Sequence, residues 1–179
     1  MRLTNAMERF ILHWGEMGAR WGVNRSVAQI HALLYLSPKP LNAEEIADTL
    51  VLARSNVSTS LKELQSIGLI KVTHLEVGDR RDYFEAIKDV QEMFNIVVEG
   101  RRKREVDPTL SLLRDLSIEA DADTETDPEV KKRIADMLDF LEVMTHWYDQ
   151  LRKLPNSTLM QLVRLGDSVV KLLSFSKKS

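Results

Sequence analysis

Residues 54–67 carry an unusual set of side chains. Arg54, Ser55, Asn56, Ser58, Thr59 and Lys62 offer three hydroxyls, an amide and two cations. Groups of these types meet base edges in a DNA major groove, and the cations also meet phosphates. On a helical wheel of ~100° per residue, Val57, Leu61 and Leu64 gather on one side and must face inward. Ser55, Thr59, Lys62 and Ser66 point the opposite way, flanked by Asn56, Ser58 and Glu63. A plain surface helix would carry more Glu and Lys, because Ser and Thr lower helix propensity. Four Ser and one Thr within residues 55–66 therefore suggest a face that sits deep in a groove.

A second candidate lies at an expected hairpin tip. Arg80 and Arg81 stand beside Gly78, and paired guanidinium groups on such a turn enter a minor groove or clamp phosphates. Asp79 and Asp82 are placed to orient them. The blander alternative is a surface salt-bridge cluster of little energetic weight. Arg101, Arg102, Lys103 and Arg104 form a run that sprays around a helix axis. It either touches flanking phosphates or is a solvated helix end paired with Glu99 and Glu105.

Other chemistry is sparse. The chain has no Cys, which excludes disulfides, thiolate metal sites and thiol nucleophiles. His13, His31, His74 and His146 are scattered without metal-ligand spacing. No nucleophile elbow or phosphate-cradling glycine loop is present. The expectation is a protein that is not an enzyme and needs no cofactor or metal. Trp14, Trp21, Trp147 and Tyr148 could cage a quaternary ammonium ligand. The alternative for them is core or dimer packing.

The 179 residues hold 25 basic and 27 acidic side chains, net −2. That excludes a globally basic nucleic-acid coat but not a local basic surface. No apolar run approaches the ~18 residues of a membrane span. Charge interrupts the N-terminus from Arg2 onward, so no secretory leader and a cytoplasmic location are expected.

The elements that must hold these residues follow from periodicity and caps. Met7, Phe10, Ile11 and Trp14 mark a helix over residues 4–19, taken with its surroundings (1–23) as a dimerisation helix. Asn24 opens a helix over 25–36, stopped by Pro38 and Pro40. Asn42 and Glu45 have capping-box spacing before a short helix, and Gly68 ends the helix over 54–67. The period then becomes two: Leu69, Ile70, Val72 and His74 read as one strand, Tyr83, Phe84 and Ile87 as its return. Two helices, a tight turn and a basic-tipped hairpin give a winged helix-turn-helix over 24–88. Connecting helices follow over 89–118, capped by Asp89, with Pro108 breaking or restarting the helix. Residues 119–129 hold six acids and no base, and an acidic linker is placed at 119–127. Asp127, Pro128 and Glu129 start a long helix with Val130, Ile134, Met137, Leu138, Leu141, Met144, Tyr148 and Leu151 on one face. A last helix from about Asn156 carries Leu159, Leu162, Val163, Val169, Val170 and Leu173. The expected class is mainly α with a small β wing, and residues 128–179 form a helical dimerisation region.

Residues 14–89 resemble the MarR superfamily of winged-helix regulators, and specifically its GbsR-type branch, whose best-known members respond to choline or glycine betaine. The resemblance lies in residues 18–22, 31–37, 41–47, 52–58, 61–64, 68–70 and 78–83, where the helix over 54–67 and the wing together are specific for the fold and for DNA binding but not for a ligand. It implies a homodimer with contacts in the terminal helices. It also implies that Arg54, Ser55, Asn56, Ser58, Thr59 and Lys62 enter a major groove, while Arg80 and Arg81 reach toward the minor groove. A quaternary ammonium effector is implied by the resemblance alone. The function expected is a sequence-specific transcriptional regulator on a double-stranded operator, a repressor rather than an activator. The rival is a winged-helix module that works by protein contact without DNA.

Overall fold

The computed structural model describes residues 1–74, 80–155, 157–159, 161–162 and 165–166. The chain forms two compact units, Met1–Gly100 and Arg101–Ser179. The architecture is the expected mainly helical one with a small antiparallel wing.

In the first unit, helix α1 (Asn5–Arg20) starts where the Thr4 hydroxyl accepts from the Met7 amide. Helix α2 (Arg25–Leu36) starts where the Asn24 side chain accepts from the Ser26 amide. The two helices touch closely at glycines. A Cβ on Gly18 would lie 2.6 Å from the Ala28 Cβ, and one on Gly15 would lie 2.6 Å from the Gln29 Cγ. Strand β1 (Leu41–Asn42), helix α3 (Ala43–Leu50), helix α4 (Arg54–Ser66), strands β2 (Ile70–Thr73) and β3 (Tyr83–Ala86), and helix α5 (Val90–Arg101) follow. The core joins Ile11 of α1 to Ile30, Leu33 and Leu34 of α2, Ile46 of α3, and Val57, Leu61 and Leu64 of α4.

Strand β1 is an element the sequence did not announce, because two residues are too short to show a period. It pairs Leu41 with Phe84 and Asn42 with Tyr83, which puts β3 in the middle of a three-stranded sheet ordered β1-β3-β2. Asn42 does double duty there. Its side chain accepts from the Glu44 and Glu45 amides, and the Glu45 carboxylate accepts from the Asn42 amide at 2.9 Å, completing the expected capping box.

Helix α3 ends at Val51, whose φ of 53° and ψ of 47° are left-handed. A β-branched residue adopts this conformation at about 1–3 kcal/mol, and the Val51 side chain is 90 % exposed. The Lys88 ammonium closes the other end of α2, donating to the Leu34, Tyr35 and Ser37 carbonyls at 2.8 Å each. Burial lowers the Lys88 pKa, and Glu85 opposes that shift. His31 is 4 % exposed, with its ring 6.4 Å from those of Trp14 and Tyr35, and its Nε2 has no hydrogen-bond partner among the described residues. Burial, aided by the Lys88 charge, lowers its pKa from 6.5 to about 4, so the imidazole is neutral.

The second unit opens with one wide turn, Arg102–Val106, in which the Asp107 amide donates to the Arg102 carbonyl five residues back. Helix α6 (Asp107–Ala122) follows at once with Pro108 in its first turn. Proline cannot donate an amide hydrogen and its ring crowds the carbonyl four residues back. The wide turn accommodates both effects, so Pro108 restarts the helix rather than ending it. Of the cationic run, Arg102 is turned inward onto Asp149 at 2.5 Å, with Asp107 at 3.7 Å, instead of lying solvated.

Helix α6 runs through Ala122, so the acidic connection is shorter than residues 119–127. Alanines 120 and 122 favour helix, and Ala120 is buried. Residues 123–127 make the connection, where the Asp123 carboxylate accepts from the Thr126 hydroxyl and the Glu125 amide, which lowers its pKa. Asp127 then caps helix α7 (Pro128–Arg152) with Pro128 in its first turn, as expected.

The single apolar face expected for α7 is two neighbouring stripes. Ile134, Leu138, Leu141, Tyr148 and Leu151 are half-buried. Val130, Met137, Phe140, Met144 and Trp147 are 45–62 % exposed, at spacings of seven, three, four and three. Arg114 of α6 pairs with Glu142 of α7 at 2.8 Å. Of the last helix, residues 157–159 and 161–162 are helical, whereas Asn156, Val163, Val169, Val170 and Leu173 lie outside the described residues. Among the described residues no helix is long and apolar enough to cross a membrane, and no group of His, Asp and Glu is placed to hold a metal ion.

Candidate nucleic-acid interface

The interface is built on α4. Val57, Leu61 and Leu64 anchor it in the core, which turns Ser55, Ser58, Thr59 and Lys62 to solvent. The Thr59 hydroxyl donates back to the Ser55 carbonyl at 3.1 Å, leaving oxygen lone pairs outward. Helices α1, α2 and α3 each carry a side-chain cap, but α4 does not: Ala53 at its N-cap makes no such bond. The first amides of α4 are therefore left to water or to an anion.

Arg54 is exposed and paired with Glu44 of α3 at 2.5 Å. Exposed pairs of this kind are worth ~0–1 kcal/mol, so Arg54 can exchange Glu44 for a phosphate at small loss. Asn56 occupies a different place from its five companions. It is half-buried, its amide nitrogen donates to the Ser26 hydroxyl at 2.9 Å, and its oxygen accepts from Ser60 at 3.3 Å. Asn56 thus ties α4 to the start of α2 and positions the face instead of extending it. Ser60, 2 % exposed, belongs to the same link. The wheel contained that signal, since position 60 falls between the buried and polar sides; the partner Ser26, thirty residues away, did not show in the sequence.

On the wing, Arg80 and Arg81 are exposed where the chain enters β3, and the Arg81 guanidinium carbon lies 5.7 Å from the Tyr83 ring centroid. A cation over that aromatic face has a preferred orientation. Gly78 and Asp79, read as the wing tip, lie outside the described residues.

The four aromatic residues suggested for a ligand are divided between the two units. In the first unit Trp14 is half-buried, stacked on Phe10 at 5.3 Å and tilted against His31, while Trp21 is exposed at the end of α1. In the second, Trp147 lies on the exposed stripe of α7, and Tyr148 points about 100° away into the half-buried stripe. Trp147 also lines an open groove with Leu110 and Arg114 of α6 and Asp139, Glu142 and His146 of α7.

Known proteins share this arrangement. Residues 16–82, which include α2, α3, α4 and β2 and stop just before β3, match the MarR family. The HTH-type transcriptional repressor GbsR of Bacillus subtilis is 26 % identical over 144 residues, covering 76 % of this chain and 77 % of that protein. The HTH-type transcriptional repressor OpcR of the same organism is 21 % identical over 155 residues, covering 85 % and 83 %. A crystal structure of a transcriptional regulator superposes with a TM-score of 0.55 at 21 % identity, covering 89 % of this chain and 99 % of that one, and so shares the fold. With its helix-turn-helix and three-stranded wing, the chain has a winged helix-turn-helix fold, and residues 16–82 are similar to the MarR family.

Proposed function

We propose that the chain is a homodimeric, sequence-specific DNA-binding repressor of transcription. The carrying observation is the outer face of α4: Ser55, Ser58, Thr59 and Lys62 are all turned to solvent on a helix whose opposite face is fully anchored. Exposed Arg54, Arg80 and Arg81 extend that face with cations. Repression is supported by two relatives that are repressors. The homodimer is supported by the apolar stripe of α7, whose a/d-like spacing suits a partner helix. Two copies would place two α4 helices on half-sites about one DNA turn apart.

A small effector would act by changing the separation of the two α4 helices. The GbsR-type resemblance makes a quaternary ammonium compound the first candidate. The groove lined by Trp147, Asp139 and the Arg114-paired Glu142 offers such a cation an aromatic face and a carboxylate.

The test is fluorescence anisotropy on DNA from upstream of the protein's own gene, against a scrambled duplex, over a salt series. Preference for the native duplex with log-linear weakening in salt supports the reading. No binding to any duplex at low salt, together with recovery of a stoichiometric protein partner, replaces it with the protein-contact module.

A further inference from the structure

Val51 closes α3 in the left-handed region with its side chain almost fully solvated. The turn explains the backbone. The Val51 amide donates to the Ala47 carbonyl, and the Leu52 amide donates to the same oxygen at 3.0 Å. Nothing in the turn explains the isopropyl group. Glycine takes this conformation freely and asparagine nearly so, whereas a β-branched residue is strained in it. Packing offers no compensation, because the neighbours Leu50 and Leu52 lean on the core and Val51 does not. A strained, solvated apolar side chain is an outlier of the kind found at binding surfaces.

Its place in the chain says what it would bind. Val51 stands two residues before Ala53, the N-cap of α4, and three before Arg54. Its two methyl groups are thus solvated within three residues of a helix whose exposed face is made of hydroxyls and a cation. The 5-methyl group of thymine is the major-groove feature that an apolar side chain reads. We propose that Val51 is a specificity-determining residue of the DNA interface, packing against a thymine 5-methyl group. The inference rests on the DNA-binding reading above.

The experiment uses the full chain to select a duplex from a random pool. Each thymine of that duplex is then replaced by deoxyuridine, which removes the 5-methyl group alone. The expected result is one thymine per half-site whose replacement weakens wild-type binding by about four-fold, the value of one buried methyl. Val51→Gly should melt higher than wild type, bind the parent duplex more weakly, and ignore that replacement. Val51→Ala, which keeps a Cβ but lacks the methyls, should follow the glycine variant on DNA. Equal binding of the parent duplex by Val51→Gly and wild type overturns the proposal. So does a loss in Val51→Gly while every deoxyuridine duplex binds wild type normally, since that marks a sequence-independent contact. If wild type selects no duplex, the DNA-binding reading falls and takes this inference with it; a selected duplex that both variants bind like wild type overturns this inference alone.

Discussion

The outer face of α4 and the outer stripe of α7 are both exposed, and they are made of opposite side chains. On α4 the exposed residues are short and polar, Ser55, Ser58 and Thr59, with Lys62 beyond them. On α7 they are long and apolar, Met137, Phe140, Met144 and Trp147. Short hydroxyls lose little when hydrated and suit a wet, charged surface such as DNA. A row of large apolar groups is unfavourable in water and suits a dry, packed partner. Exposure in a single chain therefore has two meanings here, and side-chain chemistry separates them.

The sharpest way to break the contrast is to make α7 polar. Met137→Glu with Phe140→Glu should weaken self-association about a thousand-fold or more, since each buried side chain of this size is worth ~1.5–3 kcal/mol. Sedimentation should show the monomer, with circular dichroism unchanged. A variant that sediments like wild type would remove the stripe from the interface.

Acid should act on the unit that carries α4. Above pH 6.5 His31 is neutral whether folded or not. As pH falls from 6.5 to about 4, the unfolded chain takes up a proton that the folded His31 refuses. Stability is therefore present above this window and lost on descending through it, by about 3 kcal/mol in total. Denaturant melts followed by tryptophan fluorescence, with Trp14 beside His31, would measure it. His31→Leu should flatten the profile, because the Nε2 has no hydrogen bond to lose.

The polar side is probed by Lys62→Ala combined with Arg80→Ala and Arg81→Ala. Operator affinity should fall on the order of a hundred-fold, with the salt slope reduced and the helical signal intact. If the triple variant binds like wild type in anisotropy, α4 and the wing are not the DNA face. The smallest effect belongs to Asn42→Ala. It removes both bonds from Asn42 to the start of α3 and should lower stability by about 1 kcal/mol in a thermal melt.

What could be read in advance was local. Asn24, Asn42 with Glu45, and Asp127 with Pro128 each announce a helix through bonds spanning two or three residues, and α2, α3 and α7 begin where those residues stand. What could not be read depends on a distant partner. Strand β1 exists because Phe84 and Tyr83 return to it. Asn56 looked like its exposed neighbours until Ser26 took its amide. The apolar residues of α7 formed one broad face in the sequence, and only packing divides them into half-buried and exposed stripes. The left-handed backbone of Val51 has no signal in the sequence, because a β-branched residue does not mark such a turn.

The glycines of α1 have a mechanical consequence. Gly15 and Gly18 bring α1 so near to α2 that a Cβ at either position would meet Gln29 or Ala28 at 2.6 Å. Asn56 then fastens the start of α2 to α4. A side chain added at Gly18 would therefore have to displace α2, the same helix whose first turn holds α4 and the face that Ser55, Ser58 and Thr59 present.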